Sequence, residues 1–378
     1  MGSHHLSNQE VRPQVMGLIL MVASCLIVST NLLVAAALFK LLLKKSSQSW
    51  CFVLNLALAD TLVGLAITGL ATEDFTSNAS HNRPGKTECL IRMAFVASPC
   101  TASILSMFLI SLDRYAAIKM PLHYSLLSGR GTAAVFLLAL WITAVIVGFS
   151  PVMIQPLQAD ETYDGFCAFF SVIDKVGIIV LFSSCFFPVL CLFIYIYLDI
   201  LKIACSHEKR ICRVWQASSR MEDLHQQQQQ HLRSCYWSHV KALRTVALLV
   251  GSFFFLWCPF FVVCIVHVVC TSCELKTLLE NHLWLLGLSN SLINPLVYAF
   301  WQREVRLQLL SMFSGIKGRL VTAGPPGFLE QMRLFFTWSS SEIRLQPPAG
   351  PEPAASYWFN RRHPISLIWL LFVAPCPF

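Results

Sequence analysis

The sequence predicts an all-α membrane protein: a bundle of seven transmembrane helices, a short amphipathic eighth helix and a disordered C-terminal tail. Three observations predict it. First, the 378 residues are 56% hydrophobic and only 13% charged, against roughly 25% charged in soluble domains. That leaves too little polar surface to coat a water-soluble body, and a bilayer is the solvent that fits. The mean hydropathy of +0.61 agrees. Second, the apolar residues gather in seven runs, each near the ~20 residues that a span needs. Third, Lys and Arg concentrate in every second connection between those runs.

The runs cover 16–43, 51–70, 90–118, 133–153, 176–198, 243–270 and 278–298. Each must be helical, because a lone strand in lipid leaves its backbone N–H and C=O groups unpaired. The fifth, sixth and seventh contain Pro188, Pro259 and Pro295. A proline removes one intrahelical hydrogen bond and kinks the helix, and neighbouring helices can satisfy the freed carbonyl.

The basic connections carry Lys40, Lys44 and Lys45; then Arg114, Lys119 and Arg130; then Lys202 through Arg244; then Arg303, Arg306, Lys317 and Arg319. The alternate ones are acidic or mixed, with Glu73, Asp74 and Glu88, then Asp160, Glu161 and Asp164, then Glu274. Positive-inside orientation puts the N-terminus outside and the C-terminus inside. The net charge of +8 is accounted for by these loops, and no nucleic-acid partner is expected. The layout is an extracellular N-terminus (1–15), the transmembrane body (16–300), the amphipathic helix (301–318) and a cytoplasmic tail (319–378). The first residues lack the features of a secretory leader.

Smaller signals follow the same map. Asn78-Ala79-Ser80 is a glycosylation sequon in an outer loop. The connection 206–238 holds a glutamine run flanked by His225 and His231, which suits a low-complexity loop. Leu307, Leu310 and Phe313 recur at helical spacing after the last run, with Arg303 and Arg306 beside them, as in a helix lying on the inner membrane face. That segment has no cysteine, which excludes a palmitoyl anchor there. Most of the fifteen cysteines sit in apolar runs as small hydrophobes. Cys270 and Cys273 flank a short outer turn and suit a local bridge. No nucleophile or metal cluster supports an enzyme, and no internal repeat supports a transporter.

Inside the runs lies an ordered polar set. Asn31 is in the first; Asn55 and Asp60 are in the second; Asp113-Arg114-Tyr115 ends the third; Trp141 is in the fourth. Leu256-Trp257-Cys258-Pro259 is in the sixth, and Asn294-Pro295 with Tyr298 ends the seventh. Ionisable residues within a bilayer are costly and are functional candidates by default. This set, in this order, resembles the rhodopsin-like G-protein-coupled receptors over residues 16–317.

The resemblance implies roles for these positions. Asp60, Ser103, Asn290, Ser291 and Asn294 would form a mid-membrane pocket for water and an allosteric sodium ion, the one candidate cofactor; a water network without the ion is the alternative. Arg114 would pair with Asp113 at rest and meet a heterotrimeric G protein when the sixth helix swings about Trp257 and Pro259. Tyr115, Asn294, Pro295 and Tyr298 belong to the same coupling machinery, and arrestin is a second candidate partner. Cys89 and Cys167 match the family's bridge between the third helix and the following outer loop. Two departures stand out. His239 replaces an acid that restrains Arg114 in many relatives, and Ile196 replaces a tyrosine. Both lead us to expect ligand-independent activity.

Val96, five turns above Arg114, occupies the place where amine receptors carry an aspartate. The surrounding outer residues are apolar: Phe95, Val96, Phe169, Phe170, Phe255, Phe260, Phe261 and Trp284, with Trp257 beneath. Arg92 and Glu280 are the polar exceptions, either as ligand contacts or as a structural pair. Such a pocket suits a long apolar ligand with a small polar head. At finer scale, the strings NLALADTLVGLAITGL and LWLLGLSNSLINPLVYAFWQREVRLQL are similar to the lipid-amide-sensing branch of that family. This implies a plasma-membrane receptor for fatty-acid ethanolamides or lysophospholipids that couples to Gs, raises cAMP and promotes glucose-dependent insulin and incretin secretion. Another lipid or orphan receptor of the class is the alternative.

Overall fold

The computed structural model describes residues 13–45, 47–76, 85–159, 163, 167–181, 186–199, 202, 226–270, 272–273 and 275–320, with backbone alone for 13–14, 73–76, 127, 226–246, 281 and 315–320. The sequon at Asn78, the histidine His225 and the tail from residue 321 onward lie outside the described residues, as do the side chains of His231 and His239.

The described chain is almost wholly helical. In order, the helices are α1 (Pro13–Lys44), α2 (Gln48–Thr76), α3 (Lys86–Lys119), α4 (Pro121–Leu127), α5 (Arg130–Met153), α6 (Phe169–Val172), α7 (Lys175–Leu181), α8 (Phe187–Asp199), α9 (Gln226–Val269), α10 (Lys276–Leu278), α11 (Trp284–Leu288), α12 (Asn290–Trp301) and α13 (Arg303–Leu320). Five of them, α1, α2, α3, α5 and α9, contain apolar stretches long enough to cross a bilayer. Their surfaces are turned inside out relative to a soluble protein. Leu18, Val22 and Leu26 line one exposed stripe of α1, and Val135, Leu138 and Ile146 are exposed on α5. Asn31, Asp60 and Asn294 are meanwhile buried to 1% exposure or less. Exposed apolar surface on this scale is tolerated only against lipid.

The run expected as the fifth span is described as α7 and α8, and residues 182–185 between them lie outside the described residues. The structure departs from the sequence expectation in two places. The run expected as one seventh span is interrupted: Leu279–Leu283 forms a π-helical turn, and Ser289 separates α11 from α12. Such wide turns change the facing of side chains within one rod. Finally, α9 is described from Gln226, so residues 226–238 of the expected 206–238 loop are helix. Gln, Leu and Arg are good helix formers, and extending an existing helix avoids a new nucleation step. With 44 residues, α9 runs about 66 Å at 1.5 Å per residue, about twice the ~30 Å hydrocarbon core.

Small residues set the spacing of the bundle. A Cβ on Gly148 of α5 would stand 2.7 Å from the Ser98 nitrogen of α3, so only glycine lets these backbones touch. Pro151 leaves the Val147 carbonyl without its helical donor, and the Ser150 hydroxyl fills that place at 2.8 Å. At one end of the bundle the described residues between Gln155 and Ile173 form a small cover. Gln158 and Ile173 make the one β-bridge among the described residues. The Cys89–Cys167 disulfide, with Cα atoms 5.4 Å apart, ties this cover to the start of α3. Cys270 and Cys273 are also bonded.

Candidate functional site: a polar hub beneath an aromatic roof

The hub is built on Asp60, which α2 carries into the centre of the bundle with no exposed surface. Three donors converge on its carboxyl. Ser103 Oγ of α3 donates to Oδ1 at 2.6 Å, Ser291 Oγ of α12 to the same oxygen at 2.7 Å, and Asn294 Nδ2 to Oδ2 at 2.9 Å. Asn290 does not join them through its amide: its Nδ2 turns to the Met107 sulfur at 3.7 Å. Asn290 precedes Asn294 by a full turn, so its side chain meets α3 at the next level. The carbonyl oxygens of Asn290 and Asn294, and the Tyr298 hydroxyl, are buried without a hydrogen-bond partner among the described residues. Buried polar atoms are normally satisfied, so these oxygens are suited to waters or a cation beside Asp60.

A second chain of hydrogen bonds braces α2 against its neighbours. Asn55 Nδ2 donates to Ser106 Oγ at 2.8 Å, and Trp141 Nε1 of α5 donates to Asn55 Oδ1 at 2.9 Å. Asn31 Nδ2 of α1 donates to the Ser291 carbonyl at 2.9 Å.

At one end of α3 lies an ionic cluster. Arg114 Nη2 pairs with Asp113 Oδ2 at 2.8 Å. The Asp113 carboxyl is buried and receives three further donors: Ser49 Oγ at 2.6 Å, Tyr124 OH at 2.9 Å and Gln48 Nε2 at 3.2 Å. Burial raises the pKa of the Tyr124 phenol, with the Asp113 carboxylate adding to the effect, so Tyr124 remains a donor at neutral pH. Tyr115 faces elsewhere and donates to Asp199 of α8 at 2.7 Å, which Lys119 also binds at 2.6 Å. Gln48, Ser49, Tyr124 and Asp199 were missed by sequence reasoning. They stand in three different elements, and nothing local marks them as partners of one arginine motif.

The opposite end is roofed by aromatic rings. Trp257 of α9 stacks on Phe261 at 5.7 Å and meets Phe260 edge-on at 5.9 Å. Phe260 reaches Trp284 of α11 at 6.4 Å and Phe170 of the cover at 6.3 Å. Phe169 packs against Phe170 at 5.3 Å, and His267 meets Phe170 edge-on at 5.8 Å. A Cβ on Gly287 would stand 2.7 Å from the Trp257 ring, so α11 is seated directly on the indole. Val96 lies inside this end of the bundle at 2% exposure. Pro259 sits within α9 two residues beyond Trp257.

One expectation for this end needs correction. Phe95 and Phe255 point outward, at 61% and 66% exposure, because each is one residue (about 100° of helix turn) from an inward neighbour. Of the two polar exceptions, Arg92 pairs with Glu88, one turn earlier on the same helix, and Glu280 belongs to the π-helical turn, with its Oε1 buried.

Comparison with known proteins then places the chain. The profile of the 7 transmembrane receptor (rhodopsin family) matches residues 30–298. The chain is similar to the glucose-dependent insulinotropic receptor of Homo sapiens, 43% identical over 336 residues, covering 86% of this chain and 97% of that receptor. The Rattus norvegicus receptor of the same name is 42% identical over 300 residues, covering 79% of this chain and 62% of its own length. The chain thus spans less than two thirds of the rat protein. The histamine H2 receptor of Homo sapiens is 28% identical over 271 residues, covering 70% of this chain and 69% of that receptor. A receptor profile matched over residues 30–298 and a relative 43% identical over 86% of the chain leave one conclusion: this chain belongs to the rhodopsin family of seven-transmembrane receptors.

Proposed function

We propose that this chain is a seven-span plasma-membrane receptor, N-terminus outside, that senses an endogenous lipid and activates Gs. The ligand class is a fatty-acid ethanolamide or a lysophospholipid. The response is adenylate cyclase activation, a rise in cAMP, and with it glucose-dependent insulin and incretin secretion. The observation that carries the reading is Val96, an apolar side chain with 2% exposure on α3, at the end of the bundle where the rings of Phe170, Phe260, Phe261 and Trp284 pack on one another. A valine offers an ammonium group nothing, whereas an apolar chain gains by burial there. The similarity to the human insulinotropic receptor supports the same choice.

In this reading the seven spans take in α7 with α8 as the fifth and α10 through α12 as the seventh, within a body covering 16–300. Residues 301–318 form the membrane-surface helix and 319–378 a cytoplasmic tail. Asn78 is the glycosylation site of the first outer loop. A lipid entering among Val96, Phe169, Phe170, Phe260, Phe261 and Trp284, near Arg92 and Glu280, presses on Trp257. The Pro259 kink converts that displacement into an outward swing of the α9 end nearest Arg114. Arg114 then leaves Asp113 for the G protein, with Tyr115, Asn294, Pro295 and Tyr298 completing the rearrangement. Arrestin uses the same opened face. A sodium ion fits beside Asp60, held by Ser103, Asn290, Ser291 and Asn294, and stabilises the resting arrangement by opposing the buried carboxylate charge. His239 and Ile196 weaken the restraint on Arg114, giving basal activity.

The test is a cAMP assay in cells expressing the chain or its Arg114→Ala variant at matched surface level, with oleoylethanolamide as agonist. A dose-dependent rise that Arg114→Ala removes supports the reading. A response equal to that of untransfected cells would sink it. An amine reading, suggested by the 28% identical histamine receptor, predicts a response to histamine instead.

A further inference from the structure

The end of α3 that carries Arg114 is pinned on two faces. On one, Asp113 gathers Gln48, Ser49, Tyr124 and Arg114. Two residues of helix turn a side chain through about 200°, so Tyr115 faces away from Asp113. Tyr115 and Lys119, one turn apart, share this second face. The Asp199 carboxylate of α8 closes it. Its Oδ2 accepts from the Tyr115 hydroxyl at 2.7 Å and from Lys119 Nζ at 2.6 Å. Lys119 Nζ also donates to the Tyr115 oxygen, so three side chains close a ring of hydrogen bonds. Tyr195, one turn before Asp199 in α8, stands beside Tyr115. Lys202 lies near the Asp199 carboxylate from that residue's own side of the contact. Aromatic rings in turn couple α8 to α9. Phe193 of α8 meets Phe253 of α9 at 5.6 Å and Phe108 of α3 edge-on at 5.7 Å. Phe186, just before α8, packs on both Phe253 and Phe261. A movement of α9 away from α3 therefore draws on α8, and Asp199 resists it.

We propose that Asp199 is a positioning residue of the coupling face. Through Lys119 and Tyr115 it holds α8, and with it α9, against the Arg114 end of α3 in the resting receptor. The contact parts when α9 swings out, and in this respect the inference rests on the movement assigned to α9 above. It supplies a restraint on opening that a histidine at position 239 does not. Lys119 is 42% exposed and Asp199 23%, so the pair is screened by solvent and modest in strength. A modest restraint suits a contact that agonist binding must break. The latch is independent of which ligand fills the aromatic roof, because none of its three side chains reaches that end of the bundle.

The experiment reads opening without agonist or G protein. Spin labels are attached through p-acetylphenylalanine at Leu43 of α1 and Leu198 of α8, both exposed, in the full chain purified in detergent. The distance between them is measured by double electron–electron resonance. Asp199→Asn and Lys119→Gln should each raise the long-distance population by about two- to fivefold, the range of one partly exposed ion pair. The exchanged pair Lys119→Asp/Asp199→Lys should return it toward wild type, which a misfolded protein would not do. Lys202→Gln should leave the distribution unchanged. In cells at matched surface level, Asp199→Asn and Lys119→Gln should raise basal cAMP, and the exchanged pair should lower it again. An unchanged distance distribution in Asp199→Asn, equal opening in Lys202→Gln, or no rescue by the exchanged pair would overturn the latch. Shorter distances with lower basal cAMP in Asp199→Asn would place the contact in the active arrangement and equally overturn it. Longer distances with unchanged cAMP would support the latch and count against the assignment to Gs.

Discussion

Asn31 of α1 hands its side-chain N–H to the backbone oxygen of Ser291 at 2.9 Å, the oxygen that Pro295, four residues later, cannot serve. A proline kink in a membrane helix needs a donor from elsewhere, because lipid supplies none. Asn31 also donates to Ile27 on its own helix at 2.9 Å, which fixes its orientation. Replacing it by leucine leaves a buried carbonyl without this donor and should cost about 1–3 kcal/mol. Thermal unfolding of the purified receptor in detergent should show a lower midpoint. An unchanged midpoint would mean that the Ser291 oxygen is satisfied otherwise.

The Asp60 hub predicts a response to sodium. In wild type, replacing choline chloride by sodium chloride at constant ionic strength should raise the unfolding midpoint. Asp60→Asn keeps the hydrogen-bonding shape but removes the charge that attracts the ion, so the sodium-specific increment should vanish. A sodium increment of equal size in the variant would assign the hub to water alone.

Tyr124 ties α4, a seven-residue helix, to the Asp113 carboxylate that pairs with Arg114, so under the proposed mechanism it restrains coupling. Tyr124→Phe removes one hydrogen bond to a buried carboxylate, worth about 1.5–3 kcal/mol. Basal cAMP should rise, and should rise further in Asp113→Asn, where the partner charge of Arg114 is gone. Basal signalling at the wild-type level in both variants would show that this cluster does not restrain coupling.

Gly287→Ala tests the seat of α11 on Trp257. The added methyl carbon would meet the indole at 2.7 Å, so either α11 retreats or the ring turns. Overpacking of this kind costs about 1–3 kcal/mol. Under the proposed mechanism the lipid response should change in maximal size, and not in potency alone, because the ring assigned to transmit it is displaced. A concentration–response curve that overlays wild type would remove Trp257 from the activation path.

Val96→Asp places a carboxylate at a buried position with 2% exposure on α3. An unpaired charge at membrane depth costs about 2.5–3.5 kcal/mol or more. Surface expression and the lipid response should both fall. Phe170→Ala, which removes the ring linking Phe169, Phe260 and His267, should raise the half-maximal lipid concentration about tenfold, or about 1.4 kcal/mol. A Phe170→Ala curve identical to wild type would place the ligand away from the roof.

Much of the architecture was legible because the bilayer imposes it. A run of about 20 apolar residues admits few structures, and α1, α2, α3 and α5 extend past the predicted runs only at their ends. Less legible were the breaks. Periodicity does not distinguish a continuous seventh helix from one with a π-helical turn at Leu279–Leu283, since the same residues satisfy both. The glutamine segment looked like loop because its composition is polar, yet it continues α9, whose apolar part had already met the cost of nucleation.

The sequence by itself determined membrane residence, the order of the spans, and the buried polar set of Asn31, Asp60, Ser103, Asn290, Ser291 and Asn294, because a polar residue in an apolar run has nowhere to go but inward. Tertiary structure alone decided the pairings. It turned Asn290 to Met107 instead of Asp60, gave Arg92 to Glu88, and brought Gln48, Ser49 and Tyr124 to Asp113. The physical reason is the rotation of each helix about its axis. One residue of shift is about 100°, and packing between neighbours sets that rotation.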